Sequence, residues 1–400
     1  MKICYVVYRE DNVMVFDSQV LEYLNKLASC NEIEDINLVV FRHDKNLFRK
    51  EAVEKKIKKY VSHTKTFASF PVLSMLQLAA NVKRLCRHLR KYYKPNDEIA
   101  VICRGDFAAY IATKAFCRFP NSRILYDNRG IAYEESLMAH GDQWIHRVNR
   151  NLKRKALLYS KSHCDAYNFV TGPMREYMVS EYHYDPSLPY TIIPTLYHAE
   201  PLDDERLANF RKEENVKGHD FIITYIGSTA AWQSTAELII IIRAIYEKYS
   251  NARFFILTKG DIPELENMEA DLRSRITVKG VPHGDVKYYL AMSDVGIVIR
   301  NDSIVNKVAA PTKIAEYVTS GIRILYKGDI GILQDLKYLS QEDQIIEMDG
   351  ENRWLDRIGV GNDIGKRHTD PKIIDYFDMA VRQSDTLALL NNAFQNEKIR

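Results

Sequence analysis

Several chemistries are missing from these 400 residues. There is no C-x-x-C pair, no H-E-x-x-H, no D-x-D and no lysine-bearing phosphate loop. Zinc ribbons, zincin proteases, the metal–diphosphate carboxylate pair and P-loop chemistry are thereby excluded. No G-x-G-x-x-G follows the first strand-like run, which argues against a nicotinamide site. No apolar run approaches the roughly twenty residues of a membrane span. The greasiest point, Leu238 to Ile242, is ended by Arg243. Met1-Lys2-Ile3 enters a strand at once, so no signal peptide is expected. Cysteine is scarce and one-sided: Cys4, Cys30, Cys86, Cys103, Cys117 and Cys164 all fall in the first half. They read as reduced core thiols, hence a cytoplasmic compartment. The 11 histidines are scattered, and His140 and His146 read as surface residues. Neither a repeat nor a low-complexity segment appears.

What is present has the balance of a soluble globular chain, with 46% hydrophobic and 27% charged residues. The length implies two or three domains. The net charge of +3 hides an asymmetry. Residues 1–200 carry 30 Lys and Arg against 22 Asp and Glu, whereas residues 201–400 carry 26 against 31. The basic stretch 45–60 and the cations of 83–91, preceded by the apolar 67–80, suggest an acidic partner, with an anionic membrane surface as one candidate. Ordinary solvated helix faces are the alternative. No nucleic acid is expected as a partner.

Strand and helix patterns alternate along the chain. Strands are expected at 2–8, 36–41, 98–103, 123–126, 166–170 and 190–193, with helices between them. Residues 194–201 read as a linker. The alternation then restarts at 221–226, 253–258, 276–279, 295–299 and 322–326. This is an α/β pattern with parallel sheets and right-handed crossovers. Ligands of such sheets bind beyond the strand C-termini, so the residues just after each strand are the candidates for chemistry.

The richest stretch is Asp294 to Leu325. Val295 to Ile299 is a buried-strand run, Arg300-Asn301-Asp302-Ser303 breaks it, and Pro311 and Thr312 open a helix that stops at Ser320-Gly321. Thr312 is expected as N-cap and Gly321 as the C′ residue. Arg300 and Lys313 flank a loop with free amides and a positive helix end, a plausible diphosphate site. Glu316 sits one turn into the helix, placed to accept hydroxyl hydrogen bonds. Gly227-Ser228 and Gly280-Val281 follow other strands and allow close approach of backbone, with ordinary turns as the alternative. In the first half, Tyr126-Asp127-Asn128-Arg129-Gly130 follows a strand and leads to Glu134-Glu135. Either Asp127 and Arg129 orient sugar or acceptor hydroxyls, with Glu134 paired to Arg129, or a buried Asp–Arg bridge fixes the turn.

The run Asn306-Lys307-Val308-Ala309-Ala310-Pro311-Thr312-Lys313, continuing to Glu316-Tyr317 and then Ser320-Gly321-Ile322, resembles the donor segment of retaining nucleotide-sugar glycosyltransferases of family four. The first Glu of that family's Glu-x7-Glu pair falls on Val308, and the loop after Gly227 lacks the family's Arg and Lys. The resemblance implies a GT-B fold, with two Rossmann-like domains facing across a cleft and a C-terminal helix crossing back to the first. It implies an acceptor domain at 1–195, a donor domain at 196–370 and bracing helices at 371–400. Arg300 and Lys313 would stabilise the leaving diphosphate without a metal or other cofactor, while Asp127 acts from the first domain. Gly227, Ser228, Gly280, Val281, Asn306, Pro311, Thr312 and Glu316 would hold the donor, and Arg129 and Glu134 would orient the acceptor. The expected partners are a nucleotide-diphospho-sugar and a glycan or lipid-linked acceptor of surface-polysaccharide assembly, at the inner face of the cell membrane. A catalytically silent nucleotide-sugar-binding subunit, or an epimerase or phosphorylase of the same fold, is the alternative.

Overall fold

The computed structural model describes residues 1–10, 12–42, 51–69, 72–197, 201–227, 235–266, 268–339, 344–359 and 370–395. The chain divides into two compact units. One combines Met1–Leu196 with Met379–Arg400, and the other is Tyr197–Asp378. No helix among the described residues is long and apolar enough to cross a membrane.

Among its described residues the first unit holds seven strands: β1 Lys2–Tyr8, β2 Asp35–Arg42, β3 His63–Ala68, β4 Ile99–Arg104, β5 Ser122–Asp127, β6 Ala166–Phe169 and β7 Tyr190–Ile192. They form one sheet in the order β3-β2-β1-β4-β5-β6-β7, and every pairing is parallel. Apolar side chains fill both faces, as a parallel sheet requires. Ile3, Tyr5 and Val7 face a core that also takes Met379, Leu389, Leu390 and Ala393 of the last helix, Met379–Gln395. The last helix therefore returns to the first unit, as expected, whereas Pro371–Phe377, read with it as a bracing helix, buries Ile373 and Phe377 in the core of the second unit. Cys4, Val6, Val101 and Cys103, equally buried, alternate to the other face. There the helix Asp106–Phe116 packs on β1, β4 and β5 between the helices Met75–Tyr92 and Trp144–Lys161. All six cysteines are free, but Cys117 is exposed rather than a core thiol.

The second unit holds β8 Phe221–Ile226, β9 Ala252–Leu257, β10 Ile276–Lys279, β11 Val295–Ile299, β12 Arg323–Lys327 and β13 Ile345–Glu347. Their order is β10-β9-β8-β11-β12-β13, again all parallel. In both sheets the strand order reverses beside the first strand of the unit, β1/β4 and β8/β11. These are the switch points where loops part and leave a crevice.

Three expectations need correction. β3 is absent from the expected strands: it ends inside the apolar stretch 67–80, and the helix that carries the cations of 83–91 begins at Met75 behind a Ser74–Gln77 capping box. β3 is a polar edge strand, so it leaves no apolar run to recognise. Beyond the linker read at 194–201 stands a helix that was not expected, Asp204–Glu213, with no buried residue and hence no periodic signature. Finally, Pro311 rather than Thr312 stands at the N-cap of the helix Thr312–Thr319, and no side chain caps it. Proline satisfies the position because its extended ψ turns the chain into the helix. Gly321, at φ +70°, takes the expected left-handed position after Ser320.

Candidate functional site

The second unit gathers most of the sequence candidates at the C-terminal edge of its sheet. β11 delivers Arg300, whose N–H donates to the Lys327 carbonyl at 3.0 Å. Gly328 allows this: a Cβ there would lie 2.2 Å from the Arg300 carbonyl oxygen, and its φ is +99°. The Thr312 helix delivers Lys313 and Glu316 from its first two turns. It lies close against the sheet because Gly296 of β11 accepts the Tyr317 ring face, where a Cβ would meet ring carbon at 2.5 Å. The Tyr317 hydroxyl in turn accepts the Ile226 N–H at 2.9 Å, which ties the helix to the end of β8.

Both cations are taken out of water. Lys313 is 8% exposed, and its ammonium lies 4.9 Å from the Tyr225 ring centroid. Burial pulls its amine down to about 7, Arg300 pushes the same way, and Glu316 opposes. Burial also lowers Arg300, against the pull of Tyr225, and the Arg300 Nε is buried with no hydrogen-bond partner among the described residues. Glu316, 5% exposed, lies 3.8 Å from Nδ1 of His283. Burial raises its carboxyl while His283 and Lys313 pull it back. Two adjoining buried cations, each made less basic by the site, are what a group carrying negative charge relieves.

The remaining donor candidates divide. Gly280 lets the loop after β10 lie on that after β9: a Cβ would stand 3.2 Å from Lys259 Cγ, and the Thr258 N–H donates to the Lys279 carbonyl. Val281, like Ile226, is partly buried against the two hydrophobic clusters of this unit that hold Leu290 and Tyr289. The Gly227 amide continues the ladder to the Leu257 carbonyl at 3.2 Å. Ser228 lies outside the described residues, as does Trp232. Asn306 is buried and turned to its own loop, donating to the Asn301 carbonyl at 2.8 Å, so it braces the segment after Arg300. Val308 is 2% exposed, a site with no room for a solvated carboxylate.

In the first unit Asp127 and Arg129 do meet. Arg129 lies 3.5 Å from Asp127 Oδ1, Arg104 lies 3.5 Å from Oδ2, and Asn168 donates to Oδ1 at 2.7 Å. Arg129 also donates to the Ile193 and Pro194 carbonyls. The buried bridge that fixes the turn is thus present. Glu134 does not pair with Arg129; its carboxylate accepts the hydroxyls of Tyr177 at 2.9 Å and Tyr182 at 2.5 Å. The helix containing Glu134 carries it toward Gly172–Tyr182, away from the turn.

Beside this cluster a cavity of about 380 Å³ opens at the β1/β4 switch point, lined by Tyr8, Arg9, Arg104, Asp106, Asn149 and Lys153 among others. Asp106, on the first turn of its helix, accepts the Tyr126 hydroxyl, and burial pushes its carboxyl up to about 6. Arg9 sits at φ +56°, a conformation that costs energy outside glycine and gathers at functional sites. From sequence this place is only the end of the strand expected at 98–103, after which come Arg104-Gly105-Asp106.

No protein-family model matches the chain, and no curated protein matches it by sequence. Solved structures match over its full length. A glycosyltransferase from Rickettsia africae ESF-5 superposes with a TM-score of 0.64 at 13% identity, covering 99% of each chain. The lipopolysaccharide outer core galactosyltransferase WaaB, in its apo form, gives 0.63 at 11% identity, over 98% of this chain and 99% of that one. HepE from Anabaena, solved in complex with UDP, gives 0.60 at 12% identity, over 98% of each. The chain has the GT-B fold, with two Rossmann-like units each built on a parallel sheet.

Proposed function

We propose that this chain is a retaining glycosyltransferase of the family-four type, which moves a sugar from a nucleotide-diphospho-sugar to a glycan or lipid-linked acceptor without a metal. The observation that carries the reading is Lys313, a buried amine held near neutrality beside Arg300, at the sheet edge where ligands of this architecture bind. That HepE was solved with UDP and with UDP-glucose supports a nucleotide-sugar donor.

In this reading the bond between the anomeric carbon and the diphosphate lengthens, and negative charge grows on the leaving oxygen. Arg300, Lys313 and the amides opening the Thr312 helix face that charge already in place, so little reorganisation is needed. Glu316, oriented by His283, accepts hydroxyl hydrogen bonds from the donor. The acceptor enters the first unit at the cavity beside Arg104 and Asp106, where Asp127, itself bridged to Arg129, holds Arg104 in place. The free thiols support a reducing, cytoplasmic setting.

Thermal-shift measurement against a panel of nucleotides and nucleotide sugars tests the donor assignment. A ligand at about a hundred times its dissociation constant adds roughly 2.7 kcal/mol of stability. Transfer or donor hydrolysis, followed by mass spectrometry, excludes a silent binding subunit and separates transfer from epimerisation. A panel in which no nucleoside diphosphate stabilises the chain removes the reading.

A further inference from the structure

The helices Met75–Tyr92 and Trp144–Lys161 each span 18 residues. Between them they carry eleven Lys and Arg and not one Asp or Glu. They flank the Asp106 helix on one face of the first sheet, so their outer sides belong to one layer. Lys83, Arg84, Arg87, Arg90 and Lys91 point to solvent from the first, and Arg147, Arg154 and Lys155 from the second.

The same layer exposes apolar side chains at one end. Each of these helices enters from the C-terminal edge of the sheet, so their N-termini lie on the ligand edge. Leu73 and Leu76 precede or open the Met75 helix, and Leu76 is 81% exposed. Trp144, 69% exposed, and Ile145 open the other. Leu137 and Met138 join them from the end of Ala132–His140, which forms a hairpin with the Trp144 helix. Asn149 donates to the Val72 carbonyl at 2.8 Å, which fixes the Leu73 segment to this hairpin. Asp142, at the hairpin tip, is neutralised by Arg147 and Arg150.

We propose that this layer docks the first unit on an anionic lipid bilayer, with the Leu76–Trp144 end entering the headgroup region and the cations lying on the lipid phosphates. Apolar side chains that end in tryptophan beside a cationic face suit an interface in which one end is greasy and the other charged. A nucleic-acid backbone offers the leucines and Ile145 nothing. Val72 and Asn149 belong both to this rim and to the cavity of Arg104 and Asp106, so the cavity opens at the docked end. Given the transferase reading, on which this step rests, the acceptor is carried on a lipid headgroup.

Flotation of the full chain with vesicles decides the matter. Vesicles of phosphatidylcholine mixed with phosphatidylglycerol retain the protein, phosphatidylcholine alone does not, and added salt weakens the retention. Arg87→Gln and Arg154→Gln each lower the partition about fivefold, the scale for one basic residue at such a surface. Leu76→Ser lowers it too, and Trp144→Phe removes a blue shift of tryptophan emission that accompanies binding. These side chains are exposed, and circular dichroism checks that each variant folds. The wild-type contrast between the two vesicle types decides by itself if one does not. Equal retention on both vesicles, or capture of a single-stranded oligonucleotide with no vesicle binding, overturns the proposal. Nucleotide thermal shift is read separately, so failure of docking and failure of the transferase reading are distinguishable.

Discussion

Lys313 combines two properties that rarely coexist in a purely structural residue. It is buried, and its neighbour Arg300 carries like charge. An amine at about 7 when folded, against 10.5 when unfolded, means that the unfolded chain binds the proton more tightly. The ligand-free stability contributed by this group is therefore lowest below pH 7, rises as pH climbs from 7 toward 10.5, and is flat beyond. Replacement by methionine, Lys313→Met, removes that dependence and leaves the ligand-free protein at least as stable, since a buried charge gives way to a packed apolar chain. The same change lowers turnover about a hundredfold or more, the scale of losing one charge-stabilising group. Denaturant melts across pH, set beside turnover, check both. A diphosphate bound next to the amine raises it again. Binding of the cognate nucleoside diphosphate at pH 8 thus takes up a proton, visible by calorimetry in buffers of different ionisation enthalpy. The uptake vanishes in Lys313→Met.

At the scale of elements, the donor edge depends on how closely the Thr312 helix approaches β11. Gly296→Ala drives a methyl group into the Tyr317 ring. It should cost about 1–3 kcal/mol, the range for overpacking, and weaken nucleotide binding through the Tyr317–Ile226 tie. Urea unfolding and a thermal-shift titration measure the two effects. Gly296 also shows why part of the site was readable from sequence. A strand run with one glycine, a break at Arg300, a proline-opened helix and Gly321 as its stop are local signals, and all lie within about thirty residues. β3 was missed because an edge strand reading His-Thr-Lys-Thr has no apolar alternation to report. The Asp204 helix was missed because it buries nothing, so only its Asp203 cap, which accepts the Arg206 N–H, marks it. The partners of Glu134 were unreadable for another reason: Tyr177 and Tyr182 lie more than forty residues away, and spacing along the chain says nothing about them. Arg104 and Asp106 were visible as a strand end, but only the strand order placed them at a switch point.

For the whole molecule, the decisive element is the last helix. Leu390 is fully buried in the core of the first unit beside Leu24 and Leu27, and the Tyr23 hydroxyl is hydrogen-bonded to Thr386. Leu390→Ala should destabilise the protein by about 2–5 kcal/mol, read from chemical denaturation followed by circular dichroism. It should leave the intrinsic nucleotide affinity unchanged while the protein remains folded, because the donor candidates all belong to the second unit. The order of synthesis gives this arrangement a further meaning. Residues 1–196 emerge first, yet the side chains that complete their core are made only after the entire second unit. At about 5–20 residues per second, the nascent first unit waits on the order of ten to forty seconds, with the floor of Leu24, Leu27 and Tyr23 uncovered. A chaperone that shields greasy surface during translation has its natural target there. A chain cut at Asp378 would remain its client indefinitely.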